Sequence, residues 1–129
     1  RPARYARGLG DVYQRQPRRR AGRLVIRGAV YRVDLGDPRG HEQGGRRYGV
    51  VLSPTNMPWS VATIVPTSTS AQRAIFRPVL EIAGQETVLL VDQLRVIDTD
   101  DVVGEPVDFL LRDDLDALER AVQSYLGII

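Results

Sequence analysis

At 129 residues the chain has room for one hydrophobic core, so a single compact domain is expected. It has no cysteine, which excludes disulfides, thiolate chemistry and Cys-based zinc sites and suits a reducing compartment, the cytoplasm by default. No apolar run reaches the roughly 18 to 20 residues that would span a bilayer, and the start lacks the apolar stretch of a secretory signal. The net charge of +2 conceals an asymmetry: all 18 basic residues are arginine, nine lie within 1–27 beside the single acid Asp11, and from Gly28 onward 15 acids face nine arginines.

Residues 1–23, "RPARYARGLGDVYQRQPRRRAGR", have few aliphatics, no lasting periodicity and three consecutive arginines. That composition predicts a mobile, exposed basic arm with no dedicated role, the alternative being a tail that grips nucleic acid, followed by one domain over 24–129. Leu24 and Val25 are residues that alternative start codons can encode, so the natural product is expected to begin near Val25. Native peptides from upstream of Leu24 would remove that expectation.

In "VIRGAVYRVDLG", Ile26, Val30, Tyr31 and Val33 alternate imperfectly with polar or small residues, predicting a strand that ends at Gly36-Asp37-Pro38. The following loop, 36–47, carries four glycines and one proline and is expected to be exposed and mobile. "YGVVLS" and "SVATIVP" read as short β-branched strands, joined by "PTNMPW", whose prolines forbid a continuous ladder. A hydroxyl cluster, Thr67 to Ser70, follows Pro66. "FRPVLEIAG" and "ETVLLVDQLRVI" read as two more strands around a turn at Gly84, and "DTDD" at 98–101 as a solvated turn, since it lacks the Gly and distal Glu of a calcium loop.

From Leu111 the period changes. Leu111, Leu115, Leu118, Val122, Tyr125 and Leu126 recur at helical steps, with Asp113 and Asp114 in the first turn and Gly127 closing the helix. Five or so short strands and a terminal amphipathic helix predict a mainly β (α+β) fold: a small, partly closed antiparallel barrel with the helix packed on it. The arginine loop and the hydroxyl cluster both flank strand ends and are placed to meet at one rim.

One histidine and no cysteine leave His41 as the sole route to Ser-His-Asp or Cys-His chemistry, and G-x-S-x-G and Walker-type loops are absent. What remains is arginine plus hydroxyl. Because the globular part is acidic, a polyanion site on it must be a local cluster such as Arg46-Arg47. A guanidinium stays protonated and offers forked donors to phosphate oxygens, and a neighbouring Ser or Thr can hydrogen-bond the same phosphate or its leaving oxygen. RNA brings its own nucleophile in the 2′-hydroxyl, so such a site needs alignment and charge neutralisation but no metal-bound water. Composition and spacing alone stop at a small β-rich domain suited to phosphate.

The ordered runs "IRGAVYRVDLG", "GHEQGGRRYGVVLSP", "VATIVPTSTS", "FRPVLEI", "VLLVDQLRVID" and "SYLGII" resemble the MazF/PemK family of toxin ribonucleases from bacterial toxin–antitoxin pairs. They cover Ile26 to Ile129. The resemblance implies an SH3-like barrel with a C-terminal helix, a homodimer and a cytoplasmic location. It also implies metal- and cofactor-independent cleavage of single-stranded RNA (mRNA) at short sequences, leaving 2′,3′-cyclic phosphate and 5′-hydroxyl ends, and a cognate antitoxin whose extended tail occupies the RNA groove. Arg47 falls on the family's catalytic arginine and Ser68 on its catalytic threonine, with Thr69 adjacent. Serine has more rotamer freedom than threonine, so its preorganisation is in question.

Glu42 and Gln43 match the family's loop pair for activity and substrate contact, and Asp92-Gln93 an acid-Gln dipeptide near the groove. Arg46 reads as a phosphate or antitoxin contact, and His41 as a solvated imidazole within the RNA loop or a proton carrier. Arg73 and Arg77 either extend the basic track or salt-bridge barrel acids, and Trp59 covers the core or dimer seam or stacks on RNA. Tyr48-Gly49 departs from the family's usual Pro and small apolar residue, which frees the backbone after Arg47 and offers a ring to a base. Two alternatives stay open: a non-catalytic CcdB-like toxin of the same fold that inhibits a protein such as DNA gyrase, and a degenerate toxin that only sequesters antitoxin.

Overall fold

The computed structural model describes residues 23–37, 40, 44–56 and 60–128. Seven strands form in order: β1 (Ala29–Asp34), β2 (Arg46–Val51), β3 (Val61–Ser68), β4 (Val79–Ile82), β5 (Gln85–Leu89), β6 (Arg95–Asp98) and β7 (Val102–Phe109). Among the described residues they precede one α-helix, α1 (Arg112–Leu126). All pairings are antiparallel, in the order β4-β5-β3-β2-β1-β7, with β6 also on β3. Long β3 splits its outer edge, pairing with β6 along Val61–Ile64 and with β5 at Thr67 and Ser68. The sheet thus curls into the expected small half-barrel.

Alternation along the strands gives the curl two apolar faces. Inside it, Ala29, Tyr31 and Val33 pack with Val51, Ala62, Ile64, Ile97 and Val102. Tyr31 is fully buried, and its hydroxyl is satisfied by accepting the Ile26 N–H at 3.0 Å. Arg23 lies over that ring, 5.4 Å from its centroid. The other face puts Val30, Val50, Val65, Ile82, Leu89 and Val91 against Leu118 and Ala121 of α1. Arg27 clamps the seam, donating to the Leu52 carbonyl and the Glu119 carboxylate.

The helix follows its sequence signals at both ends. Asp113 and Asp114 occupy the first turn, and Gly127 at φ 72° donates its N–H to the Gln123 and Ser124 carbonyls, a left-handed cap that suits glycine. The helical stripe is narrower than its period suggests. Leu118 and Ala121 are buried and Leu115 and Val122 half-buried, whereas Leu111 is the uncapped N-terminal residue, 74% exposed, and Tyr125 and Leu126 also face outward.

Three further readings are corrected. There are seven strands where five or so were expected. "ETVLLVDQLRVI" is broken by a turn of 3-10 helix at Val91–Gln93, so β5 and β6 are separate and meet different parts of β3. β7 went unrecognised: with Gly104 and Pro106 it makes a poor interior strand, yet it pairs only with β1, and a register shift between Val30 and Arg32 absorbs the irregularity. The "DTDD" turn is a 3-10 turn over Thr99–Asp101, capped by Asp98, whose carboxylate accepts the Asp100 N–H at 2.8 Å.

Candidate nucleic-acid interface

Arg46 and Arg47 are the first two residues of β2, a central strand between β1 and β3, and so lie on the sheet and not in the preceding loop. Adjacent strand residues point to opposite faces. Arg47 therefore shares the inner face with Gly49 and Val51, while Arg46 lies with Tyr48 and Val50 on the face that α1 covers further along. The pairing Val33↔Arg47, Asp34↔Arg46 and Arg32↔Tyr48 fixes both arginines against β1.

Arg47 is half-buried. Its Nε donates to the Gly44 carbonyl at 3.0 Å and its Nη1 to the Thr67 carbonyl at 3.4 Å, which carries the guanidinium to the end of β3. The β2–β3 pairing ends at Gly49↔Pro66, and beyond it Arg47 reaches the end of β3 at the Thr67 carbonyl, one residue before Ser68. Thr67 locks the same corner from the other face, donating its hydroxyl to the Tyr48 carbonyl at 2.9 Å.

Ser68 is 6% exposed, and its Oγ accepts the backbone N–H groups of Ser70 and Ala71 at 3.1 and 3.0 Å, with Ser70 Oγ at 3.5 Å. The oxygen is held as the pivot of the turn that leaves β3. Thr69 beside it is exposed. The strand rim thus gathers Arg47, Ser68 and Thr69, while Arg46 lies on the opposite face.

Gln93 closes the 3-10 turn that begins beside β3, where the Leu90 N–H reaches the Pro66 carbonyl at 2.9 Å. Its neighbour Asp92 receives a forked pair from Arg77, Nε at 2.8 Å and Nη2 at 2.7 Å. That hydrogen-bonded ion pair holds the Asp92 carboxyl below the usual carboxylate range and raises Arg77 above its own ordinary value. Tyr125 donates its hydroxyl to the Asp92 carbonyl at 3.3 Å and packs on Phe76, ring centroids 5.4 Å apart. Arg73 meets Glu86 at 2.5 Å on the surface. Both Arg73 and Arg77 are therefore salt-bridged. His41, Glu42, Gln43 and Trp59 lie outside the described residues.

One contributor went unseen in the sequence. Arg32 lies over the ring of its cross-strand partner Tyr48, 5.7 Å from the centroid, and the two line a hollow of about 410 Å³ with Arg46 and Arg47. Arg27, Arg73, Arg77 and Arg112 each meet a carboxylate, whereas among the described residues Arg32, Arg46 and Arg47, like Arg23, Arg95 and Arg120, meet none. An otherwise acidic domain thus keeps three guanidinium groups around one hollow without carboxylate partners, and phosphate is the common ligand that fits such forks.

Among the described residues no helix is long and apolar enough to cross a membrane. The fold is similar to the crystal structure of MazF from Deinococcus radiodurans, 28% identical, with a TM-score of 0.72 over 81% of this chain and 98% of that one. It is also similar to an endoribonuclease from a mycobacterial species in complex with its cognate antitoxin, at a TM-score of 0.67 over 81% of this chain and 97% of that one; identity there is 18%, so the likeness is one of fold. A candidate toxin of Mycobacterium tuberculosis (strain ATCC 25618 / H37Rv) is 63% identical over 106 residues, covering 81% of this chain and the whole of that protein. Residues 26–126 match the model of the PemK-like, MazF-like toxin of type II toxin-antitoxin systems. On that match and the 63% identical relative, the chain belongs to the PemK-like, MazF-like toxin family.

Proposed function

We propose that this toxin is a metal-independent, sequence-specific endoribonuclease acting on single-stranded RNA, with Arg47 and Ser68 at its centre. The observation that carries this reading is the corner itself. A guanidinium with no carboxylate partner among the described residues is anchored on the Gly44 and Thr67 carbonyls, close in the fold to a hydroxyl whose oxygen already accepts two N–H groups. Arg47 neutralises the scissile phosphate. The Ser68 hydroxyl, its acceptor capacity used by the backbone, has a proton left to give to a phosphate oxygen.

The ribose 2′-oxygen attacks the adjacent phosphorus as the bond to the 5′-oxygen breaks. One proton leaves the 2′-hydroxyl and one reaches the departing oxygen, giving 2′,3′-cyclic phosphate and 5′-hydroxyl ends. Thr69, Gln93 and Arg46 contact the RNA around the cut, and His41, Glu42 and Gln43 do so from the loop before β2. The working form is a homodimer, restrained by an antitoxin whose extended tail fills the RNA groove. Related folds bound to antitoxins, including a MazE–MazF complex from Deinococcus radiodurans, support that class of partner.

The test is incubation with single-stranded RNAs of varied sequence in excess EDTA, with cut sites and end groups mapped. Cleavage with cyclic phosphate ends is expected, and RNA left intact throughout overturns the reading. Arg47→Ala is expected to lower kcat about 100- to 1,000-fold, the usual loss for one preorganised donor. Ser68→Thr, which keeps the hydroxyl, is expected to retain far more activity than Ser68→Ala.

A further inference from the structure

We propose that Arg32, seated over the Tyr48 ring, is the stacking platform for a base flanking the cut, and that Arg46 grips that nucleotide's phosphate. This deepens the ribonuclease reading and rests on it. The layers build outward from the core. Tyr48 is half-buried against the helix-side apolar cluster, its ring carries the Arg32 guanidinium at 5.7 Å, and Arg32 is exposed. With the guanidinium resting on the ring side and Arg32 itself exposed, a nucleobase can add to the Tyr48–Arg32 pair from the solvent side.

The hollow of about 410 Å³ is lined by these two residues with Arg46 and Arg47. Arg46 and Arg47 are consecutive and project to opposite faces of β2. A single strand of RNA crossing the strand end would therefore meet Arg47 at the scissile phosphate and Arg46 at a neighbouring one. An acidic peptide would use the charges but not the planar surface, so RNA is the better match. Tyr48 acts through Arg32 and is a positioning residue.

The experiment moves a single abasic nucleotide along the mapped RNA substrate and measures KM and kcat for the full-length wild type, Arg32→Ala, Tyr48→Leu, Tyr48→Phe and, as a charge-loss control on the remote helix surface, Arg112→Ala. In the wild type one flanking abasic position is expected to raise KM about 5- to 150-fold, the range of one lost base stack. Arg32→Ala and Tyr48→Leu are expected to raise KM similarly on intact RNA and to show no further loss at that position. Arg112→Ala should behave as wild type, and Tyr48→Phe, which keeps the ring, should keep the position-specific abasic effect that Tyr48→Leu loses.

An equal penalty from Arg32→Ala at every abasic position, or no penalty at all, overturns the proposal. So does a variant that still binds RNA normally but loses a short Glu-rich peptide. If the wild type cuts no RNA, the ribonuclease reading fails by itself. The same oligonucleotides read by fluorescence anisotropy then decide the platform: one abasic position that loses its effect in Arg32→Ala supports it, and its absence refutes it.

Discussion

Ser68 differs from a solvent-facing serine in what its oxygen already does. Two backbone N–H groups fix the rotamer, so the freedom that serine has over threonine is removed by the turn leaving β3 and not by a branched side chain. Arg47 is anchored in the same manner, by carbonyls and not by a carboxylate, which leaves its charge for a ligand. Arg77 shows the contrast. Its fork is spent on Asp92, and both side chains are about one-fifth exposed, so the pair acts as a brace between the segment after the hydroxyl cluster and the Val91–Gln93 turn. Because Arg77 lowers the folded-state pKa of Asp92, the pair's contribution is fully present above the unfolded carboxylate value near about 4 and is lost as pH falls through the lower folded value. Thermal melts from neutral to acid pH should show Asp92→Asn less stable than wild type by a constant margin above about pH 5. That margin should shrink below pH 4, and one that widened in acid would contradict the brace.

At the scale of elements, β2 decides where the chemistry lies, because its residues alternately serve the inner core and the helix-side face. At Gly49 this strand packs tightly on its neighbours: a Cβ there would stand 3.3 Å from both Ile64 Cδ1 and Val33 Cγ2. Gly49→Val should therefore overpack the inner face, cost about 1–3 kcal/mol in urea unfolding and impair cleavage by displacing Arg47 two residues away. An unchanged midpoint would mean that the curl yields more readily than its packing indicates. Such crowding is invisible in the sequence, where Gly49 reads only as a departure from a family pattern. The strands rich in β-branched residues and the helix were legible because periodicity reports burial on one face. β7 was not, since its mostly exposed, acid-bearing run with Gly104 and Pro106 lacks that signal. The site divides in the same way. Arg47 and Ser68 could be named from motif position, but Arg32 becomes part of the site only once the register Arg32↔Tyr48 is known.

Over the whole molecule, charge is partitioned: seven of the 18 arginines precede Arg23, and the domain from Gly28 onward carries more acids than arginines. RNA binding then divides between a term that knows nothing of sequence and one set by the rim of the half-barrel. Single strands lose affinity with salt at a slope of about −0.7 per phosphate neutralised, so Arg46 and Arg47, the two phosphate contacts, together predict a slope of about −1.4 for the barrel. Each contacted arginine in the N-terminal segment would steepen it. Removing residues 1–22 should therefore flatten the salt dependence of oligonucleotide binding towards about −1.4 and weaken affinity most at low salt. The choice of cut sites should stay the same, because phosphate contacts position a strand while base contacts select it. Anisotropy titrations across a salt series, set beside cut-site maps of the two proteins, check both parts. A truncated protein that cuts at different sequences would place base recognition in the arm and take it away from the Arg32 platform.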